Sequence, residues 1–261
     1  MTQPRPVQPV DASTVILVRD AEPWECFMVR RHVRSDFAAD VFVFPGGKVD
    51  PPDADPETHD YARGGVQLSP SDVTLRVAAI RELFEEAGVL LARSLDGSIL
   101  RLDAGRRGRL AAYRRDLHAG TITLSEIARV EKIILDVDAL VPFSRWITPE
   151  PFPRRFDTHF FAASVPPGQE ARHDTLETTD SVWIAPGAAL RRFAEGAFPL
   201  VYATEKHLER MSRFASIREL MDSISTDDLE PIMPRVLQDG SEVRFLIPGD
   251  SANETQQSLS E

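Results

Sequence analysis

The sequence is short of cysteine, of long apolar runs and of positive charge. Its single cysteine, Cys26, excludes an intramolecular disulfide and any metal site built from several cysteines. No apolar run reaches the roughly 18 residues needed to cross a bilayer, so no membrane partner is expected. Lys and Arg number 30 against 41 Asp and Glu, a net charge of −11, which argues against a nucleic-acid partner.

The two ends of the chain differ in composition from the part between them. Met1–Val10 holds three prolines and no apolar core segment, so it does not resemble a signal peptide and a cytoplasmic location is the expectation. Residues 1–12 are expected to be a disordered lead, and the polar residues 249–261 a disordered tail. A single domain over residues 13–248 is expected between them.

Strand-like and helix-like segments are mixed through the body of the chain without strict βαβ order. Thr14–Arg19 and Cys26–Arg30 flank a turn and predict a hairpin, and Val41–Phe44 predicts a third strand ended by Pro45-Gly46-Gly47. Further predicted strands cover residues 133–135, 144–147, 155–164, 181–184 and 243–247. This order favours an α/β fold with a mixed sheet and helices on both of its faces.

Periodicity of 3.6 residues predicts the helices. Residues 73–91 have the pattern of an amphipathic helix, with Gly88 as the natural terminator. Further predicted helices cover residues 106–118, 124–131, 186–195 and 203–223. The first two of these form a helical insertion over about residues 104–131. The prolines, glycines and acids of residues 51–71 predict a surface loop.

Three glutamates stand out within the first predicted helix. Glu82, Glu85 and Glu86 are spaced i, i+3 and i+4, so they share one helix face. Like charges this close repel one another unless a cation joins them, which points to a divalent metal and to chemistry on phosphates. A solvated acidic face is the alternative. Against it, Ala78 and Ala79 continue this face in place of lysines and leave room for a ligand.

The strand before this helix ends in Phe44-Pro45-Gly46-Gly47. Glycines let the backbone approach a ligand closely, and their carbonyls can face a cation. On its own the glycine pair also fits an ordinary tight turn. Combined with the glutamate face, it favours a ligand site.

The two segments together resemble the Nudix box, G-x5-E-x7-R-E-U-x-E-E-x-G-U, in which U is a bulky aliphatic residue. The second half of the box is matched by Arg81–Val89 and its first glycine by Gly47. Arg81 follows Gly47 by 34 residues in place of the usual 14, so the first half is longer by 20. The first glutamate of the box is absent at Val73, counted back from Arg81, and falls at Asp53 counted forward from Gly47.

The lengthened box resembles the Nudix subfamily that includes the peroxisomal coenzyme A diphosphatase of mammals. Residues 146–149 and 154–158 are similar to that subfamily too. The resemblance implies a Nudix-type α/β/α sandwich that cleaves a pyrophosphate bond, with coenzyme A or acyl-coenzyme A cut to 3′,5′-ADP and phosphopantetheine. NADH, ADP-ribose or nucleotide sugars as substrates, and a non-catalytic nucleotide-sensing module, stay open. A homodimer is also implied by the family alone.

The resemblance assigns the metal-binding residues. It implies Glu82, Glu85 and Glu86 as ligands of Mg²⁺ or Mn²⁺, because hard oxygen ligands select hard cations. The Gly47 carbonyl is a further candidate ligand. Arg81 is expected to hold the carboxylates in place through paired hydrogen bonds.

The remaining site predictions concern the general base and the substrate. Glu177, in a loop outside the box, is the candidate base, with a solvated loop acid as the alternative. The candidate substrate-binding residues are Arg30, Arg31, Arg155, Phe44 and Gly46. For Arg30 and Arg31 the alternative is an ordinary basic strand end. For Arg155 it is an ordinary outer strand face.

Overall fold

The structure is a computed structural model that describes residues 7–32, 39–64, 67–174, 176–225, 229–239 and 242–247. Its α-helices are α1 (Pro56–Tyr61), α2 (Pro70–Ala87), α3 (Ala104–His118), α4 (Leu124–Glu131), α5 (Pro186–Ala194), α6 (Tyr202–Met211) and α7 (Ile217–Asp222). Its strands are β1 (Val10–Arg19), β2 (Glu25–Arg31), β3 (Phe42–Val43), β4 (Gly46–Lys48), β5 (Ala62–Arg63), β6 (Ala92–Ser94), β7 (Ile133–Asp136), β8 (Val141–Ile147), β9 (Phe156–Ser164), β10 (Thr178–Ile184), β11 (Pro231–Ile232), β12 (Arg235–Asp239) and β13 (Glu242–Leu246). Two 3₁₀ helices cover Pro51–Ala54 and Val137–Ala139.

Eight of these strands form one mixed sheet. Its main order is β10-β2-β1-β9-β8-β11, with β3 paired to β2 and β4 paired to β1. β1 runs parallel to β9 and antiparallel to β2 and β4, so the predicted mixed sheet and the predicted hairpin are both confirmed. A three-stranded sheet, β5-β7-β6, and a separate hairpin, β12-β13, complete the described strands.

The central strand β1 is buried on both of its faces. Val15 and Leu17 belong to a core that includes side chains of α2, α3 and α4. Ile16 and Val18 point the other way, into a second core that includes side chains of α5, α6 and α7. Successive side chains of a strand alternate between faces, so this one strand divides two apolar cores. The predicted α/β/α layering follows from that division.

The prediction of a surface loop over residues 51–71 is wrong. This segment contains a 3₁₀ helix, α1 and β5, and α2 already begins at its end. Pro51, Pro56 and Pro70 each lie in the first turn of a helix. Proline is tolerated there because the first N–H groups of a helix have no partner within the helix. The prolines that suggest a loop in the sequence therefore mark the starts of helices.

Two other predicted boundaries are wrong. The single helix over residues 203–223 is two helices, α6 and α7, and the Ser216 hydroxyl caps the second by accepting a hydrogen bond from Glu219 N at 3.2 Å. Gly46 and Gly47 do not end the strand region but form β4 beside Ser13 and Thr14 of β1.

The predicted ends of the chain fare differently. Val10–Ala12, placed in the disordered lead, lie in β1 and pair with β9. The predicted tail over residues 249–261 lies outside the described residues. In the part of the chain that the structure describes, no helix is long and apolar enough to span a membrane.

A buried histidine links the sheet to α6. The ring of His207 donates from Nδ1 to the Ala203 carbonyl and accepts at Nε2 from the Ser144 hydroxyl, both at 2.6 Å. Its ring centre lies 4.1 Å from that of Phe160. Burial, with a smaller contribution from the charge of Arg210, lowers the pKa of His207 to about 3. The histidine is therefore neutral in the folded protein at neutral pH.

This neutral histidine predicts a loss of stability in acid. Below its usual pKa of 6.5 the imidazole binds a proton in the unfolded chain but not in the folded one, so stability falls as the pH drops from 6.5 towards 3. Between pH 7.5 and pH 5 His207 should lower the free energy of unfolding by about 2 kcal/mol. Denaturant unfolding of wild type and His207→Gln at both pH values measures the difference. If the free energy of unfolding changes equally between the two pH values in both proteins, His207 is not the neutral buried group described.

Candidate active site

The glutamate cluster lies near the C-terminal end of α2. This helix is capped by the Ser69 hydroxyl, which accepts from Asp72 N at 3.2 Å, and it ends where Gly88 adopts φ of 70°. A positive φ favours glycine. The helix is buried around much of its circumference, and Ala78 and Ala79 are completely buried. The two alanines therefore pack against the protein, and the prediction that they leave room for a ligand is wrong.

The three glutamates are also buried. Glu82, Glu85 and Glu86 are only 8%, 9% and 3% exposed, so their face is not a solvated acidic surface. Arg81 lies among them. Its Nη1 donates to Glu82 Oε1 at 2.8 Å and to Glu85 Oε2 at 3.0 Å, which matches the holding role predicted for it.

Strand β4 packs against this cluster. The Gly46 N–H donates to Glu86 Oε2 at 2.9 Å, so the third carboxylate is fixed by backbone. A Cβ on Gly47 would lie 2.7 Å from the Glu82 carboxyl carbon, closer than a real Cβ contact. A Cβ on Gly46 would instead meet the Ser13 carbonyl of β1 at 2.5 Å, so Gly47 allows the approach to the carboxylate and Gly46 the approach to the neighbouring strand.

Asp53 supplies the acid that the lengthened box lacks at Val73. It is 1% exposed, and its carboxylate accepts from Nε and Nη2 of Arg81, each at 2.9 Å. Val73 instead packs against the apolar core. Of the two ways of counting, the forward count from Gly47 therefore leads to the acid that contacts the arginine of the box. The added residues lie between Asp53 and Arg81.

Burial makes these carboxylates unusually weak acids. Burial, together with the charges of Glu85 and Glu177, raises the pKa of Glu82 to about 7 despite the opposing effect of Arg81. The pKa of Glu86 is raised well above its usual value, mainly by burial and next by the charge of Glu82. Burial alone would lower the pKa of Arg81, but its hydrogen bonds to Asp53 and the neighbouring acids raise it. Negative charge therefore exceeds positive charge in this site.

The donor set suits a divalent cation, although it is not a finished metal site. Among the described residues no three acidic, histidine or cysteine side chains converge as metal ligands do. Glu82, Glu85 and Glu86 each use one oxygen in the bonds above, and no hydrogen bond to the other oxygen is found within the described part. Buried carboxylates with a free oxygen and a raised pKa fit a hard cation. The three-glutamate ligand set stays a prediction.

Two predicted residues outside the box lie close to the cluster. Besides burial, which dominates, the charge of Glu177 contributes to the raised pKa of both Glu82 and Glu86. Its side chain is 58% exposed, so it can meet water and substrate. The charge of Arg31 opposes the rise in the pKa of Glu86. The roles of Glu177 and Arg31 stay predictions.

Two of the other predicted substrate contacts, Phe44 and Arg155, are not part of the cluster. The Phe44 ring is 2% exposed and packs in the core against His207, so it does not face a substrate. The Arg155 guanidinium is buried and donates to the carbonyls of Thr148 and Val7. Both predictions are therefore wrong, since core packing and backbone carbonyls occupy these side chains.

Arg30 has a partner of its own. Its Nε lies 2.9 Å from Asp40 Oδ1, and its guanidinium carbon is 5.7 Å from the centre of the Phe42 ring. The side chain is 36% exposed. The pair is close enough to solvent to exchange partners, and the substrate role of Arg30 stays a prediction.

The helical insertion contributes two residues, His118 and Arg114, that the sequence analysis does not identify. His118, the last residue of α3, has Nε2 4.0 Å from Glu177 Oε1 and lies within electrostatic range of Glu85. From the same helix, Arg114 Nε donates to the Glu85 carbonyl at 2.8 Å. Basic residues near the end of a helix are common for reasons of helix stability. The sequence therefore held no signal that singled out these two.

Comparison with solved structures places the fold among the Nudix hydrolases. The crystal structure of a NUDIX hydrolase from Alicyclobacillus acidocaldarius superposes with a TM-score of 0.73 at 28% identity, covering 84% of this chain and 97% of that one. The predicted Nudix-type fold is confirmed.

Comparison with protein-family models identifies the family within the Nudix hydrolases. Residues 58–210 match the family model of the NUDT19 Nudix domain, and the chain belongs to this family of Nudix pyrophosphohydrolases. The acyl-coenzyme A diphosphatase NUDT19 of Xenopus laevis is 25% identical over 269 residues, which cover 87% of this chain and 70% of that protein. The human acyl-coenzyme A diphosphatase NUDT19 is 28% identical over 207 residues, 75% of this chain and 55% of that protein.

The Asp53–Arg81 contact predicts a stability effect. Both oxygens of the Asp53 carboxylate accept hydrogen bonds, from Arg81 and from the Asp50 N–H. In Asp53→Asn one of these oxygens becomes an NH₂ group, which would face a donor. The expected loss is about 2 kcal/mol in the free energy of unfolding, measured by urea denaturation. Asp20→Asn, at an exposed turn, is the matched control and should change stability by less than about 0.5 kcal/mol. Equal effects in the two variants would rule out a special role for Asp53.

Proposed function

We propose that this protein hydrolyses the pyrophosphate bond of coenzyme A and acyl-coenzyme A, giving 3′,5′-ADP and the corresponding 4′-phosphopantetheine. The observation that carries the reaction class is the buried cluster of Glu82, Glu85 and Glu86 around Arg81. The choice of substrate is supported by the similarity to proteins named acyl-coenzyme A diphosphatase. In the reaction a water oxygen forms a bond to one phosphorus, the bridging P–O bond breaks, and the water loses a proton.

The residues of the cluster provide a rigid anionic frame. Arg81 fixes Glu82 and Glu85, and the Gly46 N–H fixes Glu86. Glu82, Glu85 and Glu86 are the groups that would hold Mg²⁺ or Mn²⁺, with the Gly47 carbonyl as a further candidate. A bound divalent cation supplies positive charge that neutralises the pyrophosphate oxygens. Binding would also offset the burial that, more than the neighbouring charges, keeps the pKa of Glu82 and Glu86 high.

Glu177 is the proposed general base. Its carboxylate is near Glu82 and Glu86 and is more than half exposed, so it can accept the proton of an attacking water. His118 Nε2 lies 4.0 Å from it and helps to hold the side chain at the cluster. Arg31, which pairs with Thr178 next to Glu177, is the proposed contact for the negative charge of the nucleotide half.

Other readings of the family are less well supported. A non-catalytic nucleotide-sensing module has no need of three buried glutamates, and this chain keeps all three. NADH, ADP-ribose and nucleotide sugars contain the same pyrophosphate bond, so the cluster does not distinguish them. Assays of a panel of these diphosphates with Mg²⁺ and with Mn²⁺, with products resolved by mass, test the substrate choice. Activity on ADP-ribose or NADH with none on coenzyme A would overturn it.

Several sequence predictions stay untested. They are the cytoplasmic location, the homodimer and the single domain over residues 13–248. Light scattering on the purified protein measures the oligomeric state directly. Localisation of a tagged full chain in cells addresses the compartment.

Loss of one box carboxylate should abolish most of the activity. Glu86→Gln removes a charge that the proposed cation needs, so kcat for coenzyme A should fall about a thousandfold. The neutral glutamine can still accept from the Gly46 N–H, so the fold should be retained. Glu195→Gln, at an exposed position after α5, is the control and should keep full activity. Unchanged turnover in Glu86→Gln would remove the metal-assisted mechanism.

Replacing the proposed base, Glu177, should lower activity less than replacing Glu86. Glu177→Gln cannot accept the proton of water, so kcat should fall by about a hundredfold or more while KM changes little. Glu170→Gln is a matched control, since Glu170 is an exposed acid of the same connecting segment with a side chain 74% exposed. If both variants retain wild-type kcat, the base is another group.

A further inference from the structure

A cavity of about 290 Å³ lies beside the carboxylate cluster, between the start of the box and the helical insertion. One wall comes from Asp50 to Asp53, just before the added residues of the box, and the opposite wall from Leu117 to Leu124 in the helical insertion. Arg81 and Glu85 also line it. The cavity is therefore continuous with the carboxylate cluster, and one of its walls comes from the helical insertion.

The walls of the cavity are largely apolar. Pro51 and Pro52 lie on the box side, and Leu117, Ile122 and Leu124 lie on the helical side. Leu117 and Leu124 are 6% and 3% exposed, so they are held in the core rather than free to collapse into the space. Such a lining favours an uncharged ligand with branched alkyl groups.

The charges at the inner end of the cavity decide which half of a substrate fits. The carboxylates of Asp50, Asp53 and Glu85 are lining groups, whereas Arg81 is the one guanidinium among them. Lys48 pairs with Asp50 at 3.3 Å but does not line the cavity. The acids outnumber the bases even when Lys48 is included, so a phosphorylated nucleotide would be repelled. Arg31, by contrast, does not line the cavity, and its charge acts on Glu86.

The cavity is also the size expected for one arm of a substrate and not for the whole molecule. Pockets for whole small molecules start at about 300 Å³, and this cavity has about 290 Å³. A complete coenzyme A does not fit such a space. The pantetheine arm does, and it begins next to the pyrophosphate with a neutral, gem-dimethyl-substituted segment.

We propose that this cavity between the lengthened box and the helical insertion binds the pantetheine arm of the substrate. The nucleotide half then lies on the β2 side of the cluster, near Arg31, and the pyrophosphate lies between the two at the glutamates. This assignment rests on the proposed function. It makes the start of the box and the helical insertion the elements that select a neutral, apolar arm over the ribose or sugar of other diphosphates.

The two reaction products separate the two halves of the substrate and therefore test the assignment. The experiment measures inhibition of coenzyme A hydrolysis by 4′-phosphopantetheine and by 3′,5′-ADP, using the full chain. In Ile122→Trp the larger ring fills part of the cavity. The inhibition constant of 4′-phosphopantetheine should rise about tenfold, as expected when about two methylene groups lose their burial. That of 3′,5′-ADP should stay within about twofold.

Two further variants keep the test decisive. Ile99→Trp places the same ring at an exposed isoleucine that does not line the cavity and should change neither constant. If Ile122→Trp does not fold, Ile122→Ala removes the apolar contact and should weaken 4′-phosphopantetheine about fivefold. Equal shifts for both products, or no shift for either, would overturn the assignment and leave the proposed function intact. Absence of any coenzyme A hydrolysis in wild type would instead overturn the proposed function, and this assignment with it.

Discussion

The guanidinium of Arg81 is the interaction on which the rest of the site depends. It donates to Asp53, Glu82 and Glu85 and also to the Lys48 carbonyl at 2.9 Å. These partners come from three different parts of the chain, namely the strand β4, the 3₁₀ helix after it and the helix α2. A lysine could not replace it, because an ammonium lacks the planar fork that reaches several acceptors in fixed directions. One buried cation thus sets the relative positions of strand, insertion and helix.

The same cation does not balance the acids around it. Asp53, Glu82, Glu85 and Glu86 are all buried, whereas Arg81 is hydrogen-bonded to three of them and the charge of Arg31 reaches the fourth. Burial of excess negative charge is costly, which is why the pKa of Glu82 rises to about 7. A fold optimised for stability alone would not collect these groups. Their presence in one buried cluster is the physical argument for a ligand that brings positive charge.

How much the sequence predicts depends on whether a feature is local. Periodicity located α2, and the spacing of its glutamates placed them on one face, because a helix fixes neighbours by its own geometry. The contacts of His118 depend on tertiary packing, so no local pattern marks them. Phe44 and Arg155 were misassigned for the same reason. Alternation along a strand shows that a side chain faces one side, but not whether a core or a ligand lies there.

The lengthened box shows why so large an insertion can be tolerated. Extending the separation of Gly47 and Arg81 from 14 to 34 residues adds only about 0.8 kcal/mol of loop-closure entropy, since that cost grows with the logarithm of length. A charge-assisted hydrogen bond contributes about 1.5–3 kcal/mol, and Asp53 accepts two of them from Arg81 at 2.9 Å. The contact at the beginning of the insertion therefore offsets its entropy. The added residues are then free to fold into α1, β5 and the start of α2.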